Sequence, residues 1–240
     1  MYIGPSTGWL YASKIYTTKN QQAFFKSVGA NALEVFLGIT QDIRVNNLLR
    51  GETFDPEIFK YLSLHLPQLH LFKNKALILK KIKEIMDKQQ IKRTCIHPSK
   101  LSDEDYQLII DSGIPLSLEN MDCRTTTIPE EFKELISAQK KFDCYFVLDV
   151  QHAYEHDSSM QYAQDLFEMM GPVLTHLHVS GETENQVHTR VCESNNRGDI
   201  VEFLNKNLPK KKVPLILEGK YQNVKELKDE IQFLKKELTF

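Results

Sequence analysis

The sequence predicts an α/β protein folded as a single (β/α)8 TIM barrel, one domain over residues 1–240. Three observations predict it. Short apolar runs of strand length alternate with helical stretches eight times. The connections are of helical length, which makes successive strands parallel. The 240 residues contain no low-complexity linker and no shift in composition that would divide them. A doubly wound sheet is the competing arrangement of the same units.

The elements follow in order. A short first strand lies near Tyr2–Gly4, and a helix over about 19–28 is stopped by Gly29. The second strand is 32–37. The segment 38–60 is irregular, with a short helix near 56–60 after Pro56. The third strand is Tyr61–His65. The next helix, about 73–89, carries Leu77, Ile78, Ile82 and Ile85 at helical spacing. Strand four is Arg93–His97. Ser102 then opens a helix, with Asp105 placed to complete a capping box, and Gly113 ends it. Strand five is Pro115–Glu119, followed by a helix over about 129–140 with Pro129 in its first turn. Strand six is 144–149, and a helix over about 158–170 precedes Gly171-Pro172. Strand seven is Val173–His178, with a helix at about 199–207. Strand eight is Val213–Glu218, and an amphipathic helix over about 223–238 closes the chain.

Lys+Arg 30 against Asp+Glu 32 gives a net charge of −2, which advertises no polyanion partner. The basic run Lys210-Lys211-Lys212, with Lys206, precedes strand eight, at the opposite face, and reads as a solvated loop. None of the four cysteines forms a C-x-x-C pair, and Cys95 and Cys144 lie in apolar strand runs. They read as reduced, in a cytoplasmic protein. The N-terminal MYIGPSTGW has no signal-peptide pattern, and no apolar run approaches the ~20 residues of a membrane span. Nothing in the pattern chooses between a monomer and a homo-oligomer.

The strand ends carry the chemistry. The apolar run Tyr145–Leu148 ends in Asp149, and His152 follows three residues later. A carboxylate just past a buried strand is costly unless something pairs with it. Six consecutive strands end in a metal-capable side chain: His65, His97, Glu119, Asp149, His178 and Glu218. In a parallel barrel these ends share one face, where active sites sit. Alternation turns Ser117 with Glu119, and Ile216 with Glu218, inward. Three carboxylates converging in the mouth would repel one another, and a divalent cation is the economical way to stabilise them.

As a spaced set, these residues resemble the xylose-isomerase-like barrel superfamily from strand two to strand eight. The stretches concerned are Ser63-Leu64-His65-Leu66-Pro67, His97-Pro98, Leu118-Glu119-Asn120, Leu148–Ala153 and Leu217-Glu218. The resemblance has two branches. In sugar isomerases and epimerases it implies one divalent ion, often manganese, held by Glu119, Asp149, His178 and Glu218, with Glu119 and Glu218 moving a proton beside a carbonyl. His176–Glu182 is similar to the H-L-H-T-G-E run of ketose 3-epimerases with one extra residue, and His152 falls on their substrate-contacting histidine. Where that pattern has an arginine, this chain has Glu184 and Asn185, and Arg190 comes later. In endonuclease IV the resemblance implies a cluster of up to three zinc ions, adding His65, His97, His152 and His188. Eight of that cluster's nine ligand positions match; the ninth, an aspartate, falls on Gln186.

Further candidates are Glu34, which reaches toward the mouth and substrate or is a buried paired carboxylate, and Trp9, for stacking on a sugar ring or for packing. His176 is expected one layer below His178, and His70 and His156 at the surface or rim. Lys14, Lys73, Lys100, Arg124, Arg190, Arg197 and Lys220 lie near the mouth but on several loops, a distribution that suits a small substrate better than DNA. The reading preferred from sequence is a metal-dependent isomerase or epimerase of a small sugar or sugar phosphate, contacted by His65, His97, His152, Glu34 and Arg190. The alternative is an endonuclease IV-like phosphodiester hydrolase acting at abasic DNA sites. A third reading is a binding module that kept the barrel without the chemistry.

Overall fold

The computed structural model of the chain describes residues 1–12, 21–37, 53–99 and 101–239. The strands are β1 (Ile3–Pro5), β2 (Ala32–Phe36), β3 (Tyr61–His65), β4 (Arg93–Cys95), β5 (Ser117–Glu119), β6 (Tyr145–Asp149), β7 (Leu174–Val179), β8 (Gly181–Thr183), β9 (Gln186–Thr189) and β10 (Leu215–Leu217). Eight of them form a parallel ring in two arcs, β2-β3-β4 and β5-β6-β7-β10-β1. Bridges Ser6–Glu34 and Ile96–Leu118 join the arcs. At one seam the chain approaches so closely that a Cβ on Gly4 would lie 1.7 Å from the Ala32 carbonyl oxygen, so only glycine fits there.

Strand alternation sorts the side chains. Leu33, Leu64, Leu118, Phe146, Leu148, Leu177 and Leu215 pack outward into one hydrophobic cluster with the helices. Their neighbours Glu34, Ser63, Glu119, Asp149, His176 and His178 are as fully buried but turn into the barrel. Each buried aliphatic or aromatic side chain contributes about 1.5–3 kcal/mol, so the outer layer can carry the fold while the inner one carries polar groups.

The helices are α1 (Thr7–Ala12), α2 (Gln21–Val28), α3 (Lys75–Gln89), α4 (Asp103–Asp111), α5 (Ile128–Phe142), α6 (Val150–His156), α7 (Gln161–Met170), α8 (Arg197–Asn207) and α9 (Val224–Glu237). Asn74 and Asn223 cap α3 and α9 by accepting from Leu77 N and Glu226 N. Ser102 with Asp105, and Thr127 with Glu130, form capping boxes on α4 and α5. Gly29 ends α2's turn at φ 77.

Four expectations change. The helix expected at 56–60 is only a turn, closed by Phe59 N donating to Asp55 O at 2.9 Å. On α3, Leu77 is 49% exposed, and the buried stripe runs through Leu79, Ile82, Ile85 and Met86. The stretch after β6 makes two helices, because Asp149 caps α6 by accepting from His152 N at 2.9 Å. An antiparallel β8–β9 hairpin, not anticipated, rises beyond β7. The irregular segment 38–52, Lys14 and Lys100 lie outside the described residues. No helix among the described residues is long and apolar enough to cross a membrane.

Candidate active site

Glu119 is the hub of the mouth. Its Oε1 lies 3.1 Å from His178 Nδ1 and 3.7 Å from His152 Nδ1. Its Oε2 lies 3.4 Å from His97 Nε2, 3.5 Å from His65 Nε2 and 3.0 Å from Cys95 Sγ, which donates to it. Three groups of potential ligands therefore share this carboxylate: Glu119, Asp149, His178 and Glu218; on its other side, His65, His97 and Glu119; and, overlapping the first, Cys95, Glu119 and His178. The atoms within each group lie within 4.8 Å of one another.

Backbone contacts orient the imidazoles. His65 Nδ1 donates to Leu66 O at 3.0 Å, and His152 Nδ1 to Asn120 O at 2.9 Å. That leaves His65 Nε2 facing the Glu119 carboxylate, where two acceptors need a proton or a metal cation between them. Asn120 ties the ends of β5 and β6 together: its side-chain amide donates to Asp149 O at 2.9 Å, and its amide oxygen accepts from Asp149 N at 2.7 Å. Asp149 Oδ2 is buried and makes no hydrogen bond. A bare carboxylate oxygen inside a ring of carboxylates and imidazoles fits a divalent cation better than any protein donor present.

Electrostatics agrees. Burial alone would raise Glu119, but the His178 and His97 charges outweigh it and hold the carboxyl well below its usual range. Burial, opposed by His178 and reinforced by the carboxylates of Glu119 and Asp149, pushes Glu218 up to about 7. Burial would lower His152, yet the Asp149 and Glu119 charges raise it to about 9. His178 rises well above the usual value despite burial, through Glu218 and Glu119. Three carboxylates and four imidazoles thus share a site in which positive charge, as bound protons or as metal ions, stabilises the carboxylates.

The remaining candidates fall elsewhere. Glu34, read from sequence either as reaching substrate at the mouth or as a buried paired carboxylate, is the second: it has no solvent exposure and lies against the rings of His176 and His178. His188, on β9 at φ 55, stands beside His152 with ring centroids 5.4 Å apart. Its Nδ1 is 3.1 Å from Ser180 Oγ, and neither it nor His152 joins the ligand groups above. Arg190 is held by Glu193 and Glu226 rather than turned to the mouth. Trp9 packs against the His188 ring, with centroids 5.0 Å apart, and Lys220 Nζ lies 5.3 Å from its ring centre. Trp9, Arg190 and Lys220 line a cavity of about 520 Å³. Arg124 pairs with Asp122 and Glu155. His70 is exposed, and His156 Nε2 lies 3.2 Å from Met121 O. Sequence reasoning passed over Cys95, Ser63, Tyr61 and Asn120. Their signal was an inward strand parity, or a polar residue directly after a strand end, which only the ring makes meaningful.

No family model and no curated protein matches the sequence. Among solved structures, the chain is similar to a D-tagatose 3-epimerase-like protein, with TM-score 0.70 and 16% identity over 99% of this chain and 97% of that one. It is similar to endonuclease IV from Thermus thermophilus, with TM-score 0.65 and 13% identity over 98% and 97%. A 3-keto-D-glucoside 4-epimerase from E. coli gives TM-score 0.64 and 14% identity over 98% and 99%. These are the two enzyme branches that the strand-end motifs resemble. At such identities the likeness establishes the barrel fold.

Proposed function

We propose that the chain is a metal-dependent hydrolase of phosphodiesters, using two or more divalent ions that share Glu119. The observation that carries this is the position of Glu119 between two ligand groups, one oxygen toward His178 and the other toward His65 and His97. A one-ion isomerase gives His65 and His97 no role as ligands. It also asks Glu119 to move protons, although five groups already surround its two oxygens.

Cations held by these residues supply Lewis-acid polarisation of a phosphoryl oxygen and acidify water. The chain's own residues do the rest. Asn120 fixes the ends of β5 and β6, and so the spacing of Glu119 and Asp149. His152, with Nδ1 committed to the Asn120 carbonyl, keeps Nε2 for the reacting phosphate or its leaving oxygen. Glu218, pushed up to about 7, can hold or release a proton near neutral pH.

The isomerase reading keeps one specific support. A carboxyl near 7 at Glu218 suits proton abstraction beside a carbonyl, and the epimerase-like fold match has TM-score 0.70. The test is incubation of zinc- or manganese-loaded protein with a duplex carrying one abasic site, with a small aryl phosphodiester, and with ketoses. Metal-dependent phosphodiester cleavage, abolished by Glu119→Gln, is expected. Ketose epimerisation without any diester cleavage would replace this reading with the isomerase.

A further inference from the structure

We infer that Glu34 is a positioning residue for His178: it holds the imidazole so that Nδ1, and not Nε2, is the nitrogen offered to a cation. The inference rests on the reading above that the mouth binds divalent metal. Beneath that mouth lies a closed polar cluster with no solvent exposure, made of Glu34, His176 and His178. His178 Nε2 is 3.1 Å from Glu34 Oε1, and His176 Nε2 is 3.2 Å from Glu34 Oε2. The two Nε2 atoms are 3.3 Å apart.

An ionised carboxylate only accepts, and two ring N–H groups so close cannot point at each other. Glu34 has one oxygen within reach of each ring; Oε1 makes no hydrogen bond as the rings stand, and a small rotation that lines His178 Nε2–H up with it puts the hydrogens on both Nε2 atoms. His178 Nδ1 is then the nitrogen left for a cation, and without one it carries a proton toward Glu119 Oε1. It faces outward, 3.1 Å from Glu119 Oε1 and 3.6 Å from Glu218 Oε2. The cluster is itself anchored. Ser63 Oγ donates to Glu34 Oε2 at 3.0 Å, and the Tyr61 hydroxyl lies 2.7 Å from His176 Nδ1. If Tyr61 donates there, His176 too must carry its hydrogen on Nε2, toward Glu34. A carboxylate buried this deeply would be costly without such partners. A ligating histidine commonly donates its other N–H to a carboxylate, which fixes the ring and makes the ligating nitrogen a stronger donor.

The experiment measures zinc affinity by chelator competition in wild type, Glu34→Met and Glu34→Gln, each checked for folding by circular dichroism. Methionine keeps the length and removes both acceptors, and a loss of about 10–100-fold in affinity is expected. Glutamine should restore most of it: the amide oxygen can still accept from His178, while its NH2 donates to a His176 that has moved its hydrogen to Nδ1, toward the Tyr61 hydroxyl. A folded Met variant that binds zinc as tightly as wild type overturns the inference and leaves the metal reading standing. A wild type that binds no zinc overturns the metal reading, and the inference with it. Where the Met variant does not fold, nitrogen NMR of histidine-labelled, zinc-loaded wild type decides. Ligation of His178 through Nδ1 with a protonated Nε2 upholds the inference, and ligation through Nε2 overturns it.

Discussion

Glu119 at the mouth and Glu131 in the helical layer are almost equally buried, at 0% and 1% exposure. Glu131 accepts from the Met121 N–H and the Tyr162 hydroxyl, and burial outweighs those bonds and pushes its carboxyl up to about 7. It relieves its desolvation by taking a proton, and its oxygens end up paired within the protein. Glu119 instead sits among imidazoles and keeps its charge. A buried carboxylate with protein donors is a structural tie between a loop and a helix. One that stays anionic, next to another carboxylate with an oxygen that makes no hydrogen bond, is a candidate site for cations. Glu230 belongs with Glu131: it accepts from Val191 N and Cys192 N and fastens the chain beyond β9 to α9.

The contrast predicts its own tests. The largest effect is expected from Glu119→Gln, which should strip both ligand groups and lower turnover by at least ~100-fold, since even residues that only orient a ligand cost 10–100-fold. The fold should survive, because the outer hydrophobic layer is untouched. Glu131→Gln should change neither metal content nor turnover. Equal effects of the two substitutions would erase the distinction. Next, His65→Ala combined with His97→Ala should remove one ion per chain and leave the group of Glu119, Asp149, His178 and Glu218 loaded. An unchanged metal count would reduce these histidines to substrate contacts.

A smaller effect concerns pH. A cation must displace protons from His178 and from Glu218 at about 7. Affinity should therefore rise as pH climbs through this range, by roughly tenfold per pH unit for each proton displaced. Titration calorimetry in buffers of different ionisation enthalpy would count those protons. Metal affinity flat between about pH 6 and about pH 8 would contradict the picture.

The smallest effect belongs to Glu131. Its folded pKa lies above the usual carboxylate value, so the folded state binds the proton more tightly than the unfolded state does. Its contribution is complete below the unfolded pKa and is lost as pH rises through about 7, at most on the order of 3–4 kcal/mol. Glu131→Gln should flatten that part of the stability-versus-pH curve in denaturant melts. An identical pH dependence in the variant would show the proton to be bound elsewhere.

Much of the barrel was legible because its strands are short and bounded. Leu116-Ser117-Leu118-Glu119 and Leu215-Ile216-Leu217-Glu218 declare both their length and their inward face. The strand-end carboxylates were legible for the same reason, since parallel strands put their ends together. What escaped depends on closure of the ring. Glu34 pointed inward by parity, but only the seams at Ser6–Glu34 and Ile96–Leu118, with β7 opposite, set it under His178. Arg190 seemed free in sequence because its partner Glu226 comes 36 residues later, on α9. The β8–β9 hairpin was missed because Gly181–Thr189 carries neither a long apolar run nor a glycine at its turn.

The central claim is that Glu119 joins two metal-binding groups. The most direct measurement is the metal content of the protein, loaded with zinc and freed of excess, expressed as ions per chain. Two or more ions per chain are predicted for wild type. A single ion per chain, unchanged by excess zinc, would contradict the account.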